Sequence, residues 1–154
     1  MSKANGKRLT GRKKLIISLS AVFGALIILG AILLGLFCPR GISAYCNVKA
    51  DKVDRVYYAY HDWESGSDGR IEIDLPAEKV STFIKKIKKV KVVPDYIPCK
   101  CEDFNSFFIV SGDTVYEIDS LGITVYKNGK WYKHNSYNTV DNSLWELTKL
   151  FGIE

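Results

Sequence analysis

The sequence is short of the residues that carry out chemistry. Among its 154 residues there are only two histidines, His61 and His134, and four cysteines. It has no Gly-x-Ser-x-Gly elbow, phosphate loop, dinucleotide fingerprint or zinc-protease helix. Both histidines fall at the ends of predicted strands and have no ligand spacing to each other or to the cysteines, which argues against zinc. His61, Asp62, Glu64 and Asp68 crowd one turn, but the spacing from Asp62 misses the Gly and Glu positions of a calcium-binding EF-hand loop. They read as a polar hairpin loop. No cofactor and no metal are expected, and there is no internal repeat or low-complexity stretch. No Asn-x-Ser/Thr acceptor occurs, so the chain is silent on glycosylation.

Charge is also missing from one long stretch. Leu15 to Phe37 is apolar throughout and carries no charged residue. At 1.5 Å per residue such a run spans about 34 Å as a helix, enough for a hydrocarbon core of about 30 Å. Soluble helices are rarely apolar on every side for so many turns. Acid is missing from residues 1–14, which hold Lys3, Lys7, Arg8, Arg12, Lys13 and Lys14. Beyond the run comes a single Arg40. That asymmetry favours an N-terminus in the cytoplasm, with the remainder across the membrane. The competing expectation is a secreted product, cut before Ala44 with Gly41 and Ser43 as its small residues. The apolar core is long for a signal peptide. A lipoprotein pattern fails, because Gly35, Leu36 and Phe37 precede Cys38.

The charge balance follows the same division. Of 22 basic residues six lie in the tail, leaving 16 against 17 acids beyond the span, so the overall +5 belongs to the tail. It is not a signature of nucleic-acid binding. The expected organisation is a basic cytoplasmic tail (1–14), a transmembrane helix (15–37), a linker (38–50) and one extracytoplasmic domain (51–154).

In that domain, residues 51–60 and 70–75 alternate as strands, with Val56, Tyr58 and Tyr60 on one face of the first and Ile71, Ile73 and Leu75 inward on the second. Pro76 suits the first position of a helix. Val80, Phe83, Ile84, Ile87 and Val90 follow at helical spacing. Four more strands are expected near 105–111, 114–119, 123–127 and 130–134. Asn128-Gly129 supplies the two positive-φ residues of a type I′ hairpin turn. Val140, Leu144, Leu147 and Phe151 repeat as a last helix, ended by Gly152. The order ββαββββα, with about six antiparallel strands and two helices on one face, is a two-layer α+β domain.

Cys38, Cys46, Cys99 and Cys101 are even in number and lie beyond the span. Two disulfides are expected, stapling the linker to the loop after the first helix. The rival is a thiol-redox site at Cys99-Lys-Cys101. Two surfaces are candidates for contact. One is the lysine face of the first helix: Lys79, Lys85, Lys86, Lys88 and Lys89, with Lys91 just beyond. The other is aromatic: Tyr57, Tyr116, Tyr126, Trp131 and Tyr132. The expected function is binding of another envelope component, whether protein, anionic polymer or lipid surface. The alternative is a redox or hydrolytic enzyme using Cys99 and Cys101 or the His61, Asp62 and Glu64 cluster.

Overall fold

In the computed structural model the chain is described over residues 11–61, 69–95 and 105–153. It divides into two units, Met1–Cys38 and Pro39–Glu154.

The first unit holds helix α1, Gly11–Phe37. Its stretch Ser18–Phe37 is long and apolar enough to cross a membrane, with a mean hydropathy of 2.6. Its large side chains, among them Leu19, Phe23, Ile28 and Leu34, are exposed. Length and composition alone fit an anchor or a signal sequence equally.

The second unit is a mixed α+β domain built on one eight-stranded antiparallel sheet. Its strands are β1 (Arg40–Gly41), β2 (Arg55–His61), β3 (Arg70–Asp74), β4 (Lys91–Pro94), β5 (Ser106–Ser111), β6 (Thr114–Ile118), β7 (Gly122–Lys127) and β8 (Lys130–Thr139). Their spatial order is β1-β4-β8-β7-β6-β5-β2-β3. Helix α2, Ala77–Ile87, connects β3 at one edge to β4 near the other.

Cross-strand pairs build the buried face row by row. Tyr58 opposes Phe107, Phe107 opposes Ile118, and Ile118 opposes Ile123. The next row runs Val56, Ile109, Tyr116 and Val125. Alternation places these side chains on one face. Phe83, Ile84 and Ile87 of α2 and Leu144 and Leu147 join the same cluster. Both helical segments therefore cover this face. The Asn128-Gly129 turn has the expected positive φ at both residues, 50° and 71°.

Eight strands replace the expected six because two short ones escaped the pattern. Val90 fits the expected helix stripe, but α2 ends at Ile87, and Val90 and Val92 alternate into the core leading into and along β4. The expected linker is also corrected. Arg40 and Gly41 pair with Val92 and Lys91, and Ile42 is fully buried. Cys46 and Val48 are in the core too. The chain enters the fold at its second residue past Cys38.

The last helix is 3-10 rather than α, over Trp145–Phe151. Residues three apart eclipse in that geometry, and Leu144, Leu147 and Leu150 share that spacing. Gly152 ends it at φ 81°, as expected. Val140, expected in the helix stripe, is exposed and instead donates its N–H to the Lys91 carbonyl.

Candidate functional site

The lysine face divides on inspection. Lys85, Lys86 and Lys89 are exposed and Lys88 is half-buried. None of the four has an ion-pair partner among the described residues. Lys79 is different: its half-buried ammonium donates to the Leu150 carbonyl at 2.9 Å, tying α2 to the final 3-10 turn. It serves the packing of the two helical segments.

The five aromatics do not form one surface. Tyr57 lies on the sheet face opposite the core, stacked on Phe108 with ring centroids 4.6 Å apart. The Arg55 guanidinium sits 4.2 Å over its ring and pairs with Asp74 and Glu72. Tyr126 is on that same face and donates its hydroxyl to Glu117 at 2.9 Å. Partial burial, then the Glu117 carboxylate, pushes the phenol up to about 12. Tyr116 faces the core, opposite Ile109 and Val125.

Trp131 and Tyr132 stand at the free end of the β7–β8 hairpin, 66% and 55% exposed. Val125 opposes Lys133 while Tyr126 opposes Trp131, so Tyr132 is the extra residue of a bulge. A bulge re-aims its side chain. Here it brings the Tyr132 ring beneath the Lys127 ammonium, 4.3 Å from the centroid.

That ring forms one wall of a hollow of about 370 Å³. Lys127 and Lys133 line it from the hairpin, Tyr45 and Asn47 from the entering segment, with Tyr116 and Val125 within. No carboxylate is among its described lining residues. The entering segment is held firmly. Ile42 donates its N–H to the Val90 carbonyl, and Tyr45 and Cys46 donate theirs to the Ile42 carbonyl. Two lysines in an acid-free concavity, with a phenol and an amide beside them, suit an anionic ligand.

No family model matches the chain, and no curated protein or solved structure matches it. The reading of the site therefore stands on its residues.

A second hollow, of about 560 Å³, lies between β2 and α2 and includes Asp51, Asp54, Arg55 and Asp74. Its charges are largely engaged internally. Asp74 pairs with Arg55, and Asp54 accepts the Gly112 N–H at 2.6 Å. Among the described residues no group of three or more His, Cys, Asp or Glu side chains is placed to hold a metal. His134 sits between Thr124 and Ser136, within 2.8 and 3.1 Å of their hydroxyls. His61 ends β2, opposite Arg70. Asp62, Glu64 and Asp68, its expected partners, lie outside the described residues.

The expected disulfide staple is not formed at Cys38 or Cys46, which are both free thiols. Apolar burial of Ile42, Cys46 and Val48 fastens the segment in its place. Cys99 and Cys101 lie outside the described residues.

Cys46 supplies a prediction. Burial pushes its thiol up to about 11, against smaller opposing effects from a hydrogen bond with the Val48 backbone and the charges of Lys88 and Lys133. The folded chain thus holds the proton that the unfolded chain releases above pH 9. Stability is complete below that pH and falls as pH rises toward 11, by at most about 1.4 kcal/mol per unit. Urea unfolding of residues 39–154 at pH 8, 9 and 10 should show this loss, and Cys46→Ala should flatten it. Equal slopes for both proteins would refute the assignment.

Proposed function

We propose that this is a single-pass membrane protein whose outer domain works by binding an anionic component of the envelope. Residues 15–37 form the anchor, with residues 1–14 in the cytoplasm and the domain across the membrane. The basic tail, without a single acid, supports this orientation. A polybasic tail also attracts anionic lipid on its own side.

The observation that carries the binding reading is the hollow under the β7–β8 hairpin. Lys127 and Lys133 converge there with Asn47, Tyr45 and Tyr132, and no acid among the described lining residues balances them. Tyr132 is 55% exposed at its rim, while Trp131, opposite Tyr126, is on the other face of the sheet. Tyr and Trp are favoured at recognition surfaces because they bring large rigid area at little entropic cost. The enzymatic alternative depends on Cys99, Cys101, Asp62 and Glu64, and no described feature favours it.

The test is a photo-crosslinking amino acid placed at Tyr132, at the rim of the hollow, in the full chain, irradiated in intact cells. A discrete adduct is expected, and Lys133→Glu should reduce it severalfold. The same group at exposed Glu146 serves as the control. Adducts of equal yield at both positions would argue against a specific binding surface.

A further inference from the structure

We infer that the domain lies directly on the membrane that holds its anchor, with Lys88, Lys133 and Tyr132 against anionic lipid headgroups. The inference rests on the single-pass reading above and names the partner of the same surface.

The first argument is the tether. Arg40 is the second residue after Cys38 and is already paired with Val92, while Ile42 has no exposed surface. An extended chain covers about 3.3–3.6 Å per residue, so Cys38 and Arg40 are separated by about 7 Å at most. A headgroup layer is itself about 5–7 Å deep on each side. Pro39 alone separates Cys38 from the first paired residue of the domain.

The second argument is charge. Lys91 lies opposite Gly41, and the Lys88 carbonyl is 3.0 Å from where a Gly41 Cβ would stand. The chain then runs from Ile42 to Asn47, which faces Lys127 and Lys133 across the hollow. Lys88 and Lys133 both lie near enough to Cys46 to influence its thiol. The lysine end of α2 and the hairpin thus flank the segment that follows the anchor. Among the described residues two acids border this region, and both are engaged. Asp95 accepts from the Asn138 side chain, and Asp141, next to Val140, accepts the Ser143 N–H at 2.9 Å. The basic residues outnumber them.

The third argument is apolar exposure. Among the described residues of the domain, Trp131, Tyr132 and Val140 are the exposed large hydrophobic side chains. Tyr132 lies with Lys127 at the hollow, while Trp131, opposite Tyr126, is on the other face of the sheet. Trp and Tyr favour the headgroup level, where an apolar ring and a polar edge are both satisfied, and lysines there extend their ammonium groups toward phosphate.

Hydrogen exchange of the full chain in nanodiscs tests this. One set contains phosphatidylcholine alone, the other a minority of phosphatidylglycerol. Peptides covering 88–92 and 127–133 should exchange severalfold more slowly in the anionic discs. Lys88→Glu with Lys133→Glu should abolish the difference, each reversal weakening contact on the order of fivefold. An unchanged thermal transition in that double variant shows that the fold survives. Equal exchange in both lipids overturns the inference. Protection in native membranes but not in anionic discs also overturns it, and leaves the broader binding reading standing with a protein or polymer as partner. No protection in either setting, with no adduct at position 132, removes both.

Discussion

Replacing Leu26 and Ile27 together by Arg is expected to strip the chain from membranes. Each Arg at the centre of a spanning helix costs about 2.5–3.5 kcal/mol on insertion scales. Two of them outweigh the gain from the neighbouring leucines and isoleucines. The wild-type chain should resist alkaline extraction and run at its full 17.4 kDa. The double variant should appear in the soluble fraction or be degraded. A soluble, shortened wild-type product would instead identify residues 1–37 as a removable leader. The structure constrains where such a cut could fall. A cut before Ala44 would remove β1 and Ile42, and with them the Ile42 N–H bond to Val90. Loss of a fully buried Ile costs about 2–5 kcal/mol as a truncation to Ala, before the strand is counted. Gly41 and Ser43 thus satisfy a small-residue rule at a position the fold occupies. Exposure makes the same point from the other side. Ile16, Phe23 and Ile28 are 63–66% exposed. A run of such side chains is costly in water and favourable in lipid.

What the sequence made legible was local. The Asn128-Gly129 turn, the alternation of Ile71 and Ile73, and the stripe of Phe83, Ile84 and Ile87 each carry their signal within one element. What it hid depends on partners distant in the chain. Val90-Lys91-Val92 fits a helix stripe as well as a strand, and only pairing with Arg40–Gly41 and with Asn138–Thr139 decides. Ile42 is one apolar residue among small ones, so its burial is invisible without Val90 beside it. Leu144, Leu147 and Leu150 fit three residues per turn as well as 3.6. The hollow draws on Ala44, Tyr45, Asn47, Tyr116, Val125, Lys127, Tyr132 and Lys133, which no local pattern connects. The bulge at Tyr132 then decides which aromatic turns toward it. The tyrosines looked alike in the sequence, and the register divided them between the two faces of the sheet.

Phe107→Ala is expected to destabilise the domain by about 3–5 kcal/mol, the range for removing a buried phenylalanine ring. Phe107 is fully buried in the row shared with Tyr58, Ile118 and Ile123 and meets three aromatic rings from three other elements. Tyr58 of β2 is 4.9 Å away, Phe83 of α2 5.6 Å and Phe151 of the last 3-10 turn 5.8 Å, centroid to centroid. Removing its ring therefore loosens the contact of both helical segments with the sheet at once. Trp131→Ala is the counterpart, a change of a still larger ring at an exposed tip, and should alter stability by no more than about 0.5 kcal/mol. Urea unfolding of residues 39–154 reads both. A loss under about 1 kcal/mol for Phe107→Ala would contradict a single core shared by the sheet and both helical segments. Ile42, Cys46 and Val48 belong to that same cluster. Hydrogen exchange over residues 42–48 should therefore accelerate in Phe107→Ala, although the substitution is on β5. The entering segment that forms one wall of the hollow is held by the core, so the hollow is only as rigid as the packing around Phe107.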